Sequence, residues 1–215
     1  MTQWQLFLKR SFDLLGALVG LIVLLPVMGV VALWVRLTSP GPALFVQTRV
    51  GHKGVLFRCF KFRSMRTESL DCSTITVGGD SRITGVGRVL RRTKLDELPQ
   101  LWNVLLGRMS FVGPRPDVPG YADHLTGQDR RVLELRPGIT GPATLFYRDE
   151  EALLAEAENP VDYNDRVIYP TKVRLNLAYL DNWSFWRDVG LILVTMVPAL
   201  DKLLKVVPRE MREKS

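Results

Sequence analysis

Histidine and cysteine are nearly absent from this 215-residue chain, which has two of each: His52, His124, Cys59 and Cys72. Two imidazoles cannot build a His-rich zinc site, so any bound metal is expected to be a hard cation held by carboxylate and phosphate oxygens. The cysteines form no C-x-x-C pair and no disulfide framework, which suits a reducing compartment. Acidic residues are scarce in the middle of the chain. Residues 36–115 hold fourteen Lys and Arg against five Asp and Glu, a balance of +9, so with +7 overall the remainder sums to −2. A basic face attracts nucleic acid, acidic lipid or phosphorylated small molecules, and charge alone does not separate these. The length suits one domain with its own core and leaves little for a second.

Leu14 to Val35 lacks any charged side chain for 22 residues. About 20 apolar residues suffice to cross the hydrocarbon core. The run closes on Leu33-Trp34-Val35-Arg36 rather than on small residues, which argues against a cleaved signal peptide. Lys9 and Arg10 flank one end, and Arg36, Arg49, Lys53 and Arg58 follow the other, so the positive-inside rule draws both ends to the same side. Pro26, near the middle, removes a backbone donor and predicts a break or kink. These features favour a re-entrant helix over a kinked spanning one, and Gly16, Gly20 and Gly29 offer faces for close packing that would also permit a homodimer. A second apolar stretch, Val189 to Leu200, is too short to span, and with Trp183, Trp186, Lys202 and Lys205 around it reads as an interfacial or domain-packed amphipathic helix.

In the basic middle, Leu44 to Val46 and Val55 to Phe62 read as two strands joined through Gly51 to Gly54, with Lys61 and Arg63 on one side of the second. Gly85 and Gly87 make a turn rather than a dinucleotide fingerprint, because no third glycine follows. From Arg91 to Leu106, the residues Leu95, Leu98, Trp102 and Leu105 recur at helical spacing. This predicts a helix starting near Asp96 and ending at Gly107, with Asp96 at its N-cap. An N-cap aspartate followed by Glu97 is ordinary helix-start chemistry and implies no catalysis. The crowd of Arg88, Arg91, Arg92 and Lys94 favours more: an acidic pair kept ionised among cations, able to attack phosphorus or hold Mg²⁺. Arg115 and Arg136 are each fixed beside prolines, in Gly113-Pro114-Arg115-Pro116 and Arg136-Pro137-Gly138. Such arginines suit two-pronged contacts with a diphosphate, a buried salt bridge being the competing reading.

The ordered set Lys9-Arg10 with Asp13, Gly41-Pro42, Gln47, Arg49 and Gly51, Lys61-Phe62-Arg63-Ser64-Met65, Leu95-Asp96-Glu97-Leu98-Pro99-Gln100, Phe111 to Pro116 and Arg136 to Gly141 resembles the monotopic phosphoglycosyl transferases, or bacterial sugar transferases. The resemblance implies an anchor helix over residues 1–38 broken at Pro26, a helix-rich α+β catalytic domain over 39–207 on the cytoplasmic face of a bacterial inner membrane, and a charged tail at 208–215. It further implies that Asp96 attacks the β-phosphate of a UDP-sugar, forming a phospho-sugar intermediate with release of UMP, and that Glu97 serves the acceptor step. Mg²⁺, bound at Asp96, neutralises the diphosphate, and polyprenol phosphate takes the phospho-sugar. Arg91 matches a phosphate-contacting arginine and Arg115 lies near the nucleotide; Lys61, Arg63, Arg88 and Arg136 complete the expected substrate-binding set. Leu25 stands where serine often precedes the proline, and Pro142 to Glu151 departs from the family pattern. Two rival readings are direct transfer in a ternary complex, with the acidic pair only holding Mg²⁺, and a non-catalytic basic membrane tether. Nucleic acid is not expected as a partner, because a paired carboxylate among the arginines suits a polyanion poorly.

Overall fold

The computed structural model describes residues 1–66 and 81–204. Cys72 and the expected charged tail lie outside the described residues. The architecture is helix-rich α+β, as expected.

The first helix, α1 (Gln3–Thr38), starts with a capping box in which Thr2 and Gln5 satisfy each other's backbone donors. It is long and apolar enough to cross a membrane. It also continues without interruption through Pro26, which corrects the expected break into two half-helices. Proline forfeits only its own backbone bond, and the turns on either side supply enough others to carry the helix on.

One stripe of α1 is buried against the domain: Ala17, Leu21, Met28, Val31 and Val35, at helical spacing. Ala17 packs with Phe57, Cys59, Val104 and Met109, and the later positions pack with Phe62, Leu90 and Leu101. Gly16 allows the closest approach, since a Cβ there would lie 2.7 Å from the Phe111 ring. The opposite face, including Leu15, Val19, Ile22, Val30 and Leu37, is exposed and apolar.

Polar contacts fix the first part of α1. Lys9 donates to Asp188, which also accepts from Tyr179 and from Trp183 Nε1 at 3.1 Å. Arg10 donates to the carbonyls of Val104 (2.7 Å) and Leu105 (2.9 Å), and Asp13 accepts from Ser110 Oγ and Phe111 N.

The two anticipated strands, β1 (Leu44–Val50) and β2 (Leu56–Phe62), form an antiparallel hairpin with Phe45 opposite Lys61. After α2 (Gly85–Thr93) comes a 3-10 turn over Leu95–Glu97, then α3 (Gln100–Leu105). The strands β3 (Ser110–Val112) and β4 (Gly138–Thr140) form a separate parallel pair that stacks the two proline loops on each other. Gly113 and Gly138 are needed there, because a Cβ on Gly113 would come within 2.2 Å of the Arg136 carbonyl oxygen.

Helices α4 (Pro142–Phe146), α5 (Glu150–Glu156) and α6 (Pro160–Tyr163) lead through a π turn at Asn164–Ile168 into α7 (Tyr169–Asp181). Then follow α8 (Phe185–Met196) and α9 (Asp201–Leu204). The main apolar cluster joins β3 to α7 and α8 through Val112, Tyr179, Leu180, Leu191 and Val194. Trp183 is buried in it and Trp186 is exposed, so the second apolar stretch is half core and half surface.

Candidate active site

Lys94 closes α2 in the left-handed conformation (φ 59°), which turns the chain sharply before the acidic pair. Asp96 and Glu97 then sit in the 3-10 turn, ahead of α3, whose N-cap is Pro99. The expected N-cap role of Asp96 is therefore corrected. Its side chain makes no cap hydrogen bond, and a six-residue helix starting at Gln100 is too far along and too short to claim it. Of the predicted apolar face, Leu95, Leu98 and Leu105 pack against the core, but Trp102 remains 49 % exposed and Leu101 and Val104 are buried in its place. The shift follows from the tight turn, which rotates α3 relative to a helix begun at Asp96.

Both carboxylates are buried, each 7 % exposed, but their surroundings differ. Arg115 Nη2 (2.7 Å) and Lys61 Nζ (3.2 Å) converge on Glu97 Oε1. Burial pushes Glu97 upward, yet Arg115 and Lys61 together overcome it and hold the carboxyl far below the usual carboxylate range. Asp96 has a buried Oδ1 with no hydrogen-bond partner. Burial, then the charge of Glu97, raise its pKa, and Lys61, Lys94 and Arg115 only moderate the rise. The expectation that both members would keep a low pKa thus holds for Glu97 alone. Arg115 is raised by Glu97, whereas Lys61 is lowered, first by desolvation and then by Arg115. Arg115 still has 39 % of its side chain accessible, so the cluster reaches solvent through that guanidinium.

The remaining predicted cations divide. Arg91, at the end of α2, pairs with Glu151 of α5, and Arg88 is exposed on α2. Arg63, expected at the substrate, is instead 4 % exposed and donates to Pro40 O, Ser39 O and Ser39 Oγ, clasping the exit of α1. It follows the last residue of β2, where the chain bends toward Thr84, so it no longer shares the direction of Lys61. Arg136 is likewise drawn to a backbone carbonyl. Its Nε donates to Gly107 O at 3.0 Å, because stacking β4 beside β3 places it at the end of α3 and away from the acidic pair.

Sequence reasoning missed several groups. Asn103 is fully buried and its amide bonds the edge of β2, accepting from Phe60 N (3.0 Å) and donating to Arg58 O (2.7 Å). It thereby ties the helix after the acidic pair to the strand that carries Lys61. Nothing in a helical asparagine announces this. Arg49 on β1 donates to Pro116 O at 3.0 Å and to Gln47, bracing the Arg115 loop. Asp117, Tyr169, Lys172 and Glu150 gather on the other side of that loop, with Lys172 bound to Glu150 at 2.7 Å.

A buried carboxylate with an unpartnered oxygen, beside cations, suits attack on phosphorus or a shared hard cation. Among the described residues no group of three potential metal ligands occurs, so a resident all-protein metal cage is absent there. Mg²⁺ bound through one or two carboxylates and substrate phosphates fits the donor set, with Asp96 Oδ1 the open position.

Residues 4–202 match the family described as bacterial sugar transferase. The chain is 40% identical over 206 residues to an exopolysaccharide production protein of Rhizobium leguminosarum bv. phaseoli, covering 92% of this chain and 98% of that protein. It is 38% identical over 198 residues to the UDP-glucose:undecaprenyl-phosphate glucose-1-phosphate transferase of Escherichia coli K12, covering 88% of this chain and 39% of the relative. Over 206 residues it is 36% identical to the undecaprenyl-phosphate galactose phosphotransferase of Salmonella typhimurium, covering 88% of this chain and 40% of that protein. The chain thus spans nearly all of the first relative and about two-fifths of the other two.

Proposed function

Because the chain belongs to the bacterial sugar transferase family, we propose that it transfers a phospho-sugar from a UDP-sugar to a polyprenol phosphate, at the first step of building a bacterial polysaccharide. The names of similar proteins support undecaprenyl phosphate as acceptor and a hexose such as glucose or galactose as donor sugar. The observation that carries the reading is the asymmetry of the acidic pair. Glu97 is spent on Arg115 and Lys61, while Asp96 keeps a free, desolvated oxygen. A desolvated carboxylate of raised pKa is a stronger nucleophile once ionised.

Asp96 attacks the β-phosphorus, an Asp96 O–P bond forms, and the bridging bond to the α-phosphate breaks with UMP as leaving group. An oxygen of the lipid phosphate then attacks the same phosphorus and releases the aspartate. Arg115 and Lys61 stabilise charge on the phosphoryl oxygens while Glu97 holds both cations in place. Mg²⁺ bound at Asp96 and the diphosphate would supply charge neutralisation.

In this reading α1 is the membrane anchor. Lys9 and Asp13 near its start and Val35 near its end all contact the same domain, which favours entry and exit on one side of the bilayer, and the cations flanking both ends favour the cytoplasmic side. The bend needed for re-entry then lies within one continuous helix at Pro26.

Purified protein in lipid discs, given a panel of UDP-sugars with Mg²⁺ and undecaprenyl phosphate, is expected to release UMP from a preferred donor. Release of UDP instead would replace phospho-sugar transfer by ordinary glycosyl transfer.

A further inference from the structure

Asp117 lies two residues beyond Arg115, and its surroundings have no part in the phosphoryl chemistry above. The main chain here is pinned to β1 twice: Arg49 Nη1 donates to Pro116 O at 3.0 Å, and Val50 N donates to Asp117 O at 2.9 Å. The direction of the Asp117 side chain is thus fixed by the same strand that braces the Arg115 loop.

Its carboxylate is crowded but underused. Its single hydrogen bond is a long one from Tyr169, at 3.4 Å to Oδ2, and among the described residues it has no ion-pair partner. The neighbouring cations are already committed, Lys172 to Glu150 at 2.7 Å and Arg49 to Pro116 O and Gln47. A carboxylate so placed retains lone pairs for a further donor. Burial pushes its pKa up to about 6, despite Lys172 and Arg49.

The fitting donor for such a group is an uncharged hydroxyl. The adjoining wall is aromatic: the rings of Tyr169 and Tyr121 lie 5.0 Å apart, and Tyr121 is steadied by bonds to Asp165 (3.0 Å) and from Asn164 (3.3 Å). A carboxylate beside aromatic faces suits a carbohydrate ring, whose hydroxyls donate at its edge while its C–H face lies on the aromatic surface.

We infer that Asp117, with Tyr169, is a specificity-determining acceptor for the hydroxyls of a carbohydrate ring of the donor, a second subsite adjoining the phosphate cluster of Arg115 and Lys61. This deepens the phospho-sugar transferase reading and rests on it. Two rings carry such hydroxyls, the sugar and the ribose, and the test separates them.

Wild type, Asp117→Asn and Tyr169→Phe are compared in lipid discs. One arm measures UMP release from the epimeric donors UDP-glucose and UDP-galactose, and the other measures binding of UMP and 2′-deoxy-UMP. Asp117→Asn is expected to lower kcat/KM for the preferred donor by about 10- to 100-fold, mainly through KM, and to collapse one discrimination. Loss of epimer discrimination assigns the sugar; loss of the preference for UMP over 2′-deoxy-UMP assigns the ribose. Tyr169→Phe, which removes one hydroxyl, moves the same ratio in the same direction and decides the matter if Asp117→Asn fails to fold. Equal losses with every ligand, or unchanged ratios in both arms, overturn the assignment. If the wild type releases no UMP from any donor, the transferase reading falls while the binding arm still judges the subsite.

Discussion

Arg115 and Lys61 approach the same oxygen of Glu97, at 2.7 and 3.2 Å, while Oδ1 of the adjacent, equally buried Asp96 has no partner. Two neighbouring carboxylates are thereby given different duties, one to organise cations and the other to react. The first expectation concerns that division. Asp96→Asn should reduce UMP release by more than about 10³-fold, as expected for removal of a nucleophile, and should retain no labelled phospho-sugar on denatured protein. Glu97→Gln should also lose activity but still form some trapped adduct. Label held by Asp96→Asn, detected by autoradiography or intact mass, would exclude the covalent route through Asp96.

Activity should depend on pH through Asp96, which must be ionised to attack. Its carboxyl is raised by burial and by Glu97, so the acid limb of kcat should lie above the ordinary aspartate range. Lys61 pulls that value down. Lys61→Met should therefore move the limb to higher pH, as well as lowering kcat; a limb that stays put or moves to lower pH would argue against Asp96 as the titrating group.

Stability should respond to Asp117 in the opposite sense from a salt-bridged acid. Its folded-state pKa, about 6, lies above the unfolded value, so the folded protein binds the extra proton and this group's contribution becomes less favourable as pH rises from about 4 to about 6. Below that window the contribution is favourable relative to neutral pH, and above it the slope ends. Urea titrations across the window should show a flatter profile for Asp117→Asn than for wild type. Glu97, held far below its usual range, contributes stability that is fully present above about pH 4.5 and is lost progressively as pH falls below it.

The buried pair Lys9–Asp188 leaves its side chains only 9% and 4% exposed. Lys9→Met strands a buried carboxylate that still accepts from Tyr179 and Trp183, and should destabilise the protein by about 3–5 kcal/mol. Adding Asp188→Asn should recover most of that loss in thermal unfolding. A double variant no more stable than Lys9→Met would mean that the lysine acts through packing alone.

Asn103 should matter through Lys61. Its amide fixes Arg58 and Phe60 on β2, and Lys61 follows directly. Asn103→Ala should lower kcat by about tenfold or more, and that loss should largely vanish when Lys61 is already Met, because coupled residues do not add. Equal losses in both backgrounds would reduce Asn103 to a general stabiliser.

The hairpin was legible because β1 and β2 are encoded by local alternation and a glycine-rich turn, signals contained within twenty residues. Asp96, Glu97 and Arg115 were legible as candidates because charged groups beside prolines and turns stand out, and the structure brings them together with Lys61 of β2. The fates of Arg63 and Arg136 were not, since each is decided by a backbone carbonyl supplied from a distant segment, Pro40 and Gly107. The exposure of Trp102 was missed for a local reason: a left-handed Lys94 and a 3-10 turn are invisible to a count of helical spacing. Pro26 misled in the other direction, since it was read as a break and the helix runs on through it.

The contacts of α1 carry a consequence for the order in which the molecule is made. Lys9 leaves the ribosome early, but Asp188 is synthesised 179 residues later. At about 5–20 residues per second, that interval is about ten to forty seconds. Asp13 waits for Ser110, 97 residues behind it. For that time the most apolar segment of the chain carries an ammonium and a carboxylate with no native partner, a charged start that resists being drawn fully into lipid. The helix can therefore settle at the bilayer surface early and acquire its lasting hold only when the far end of the polypeptide arrives.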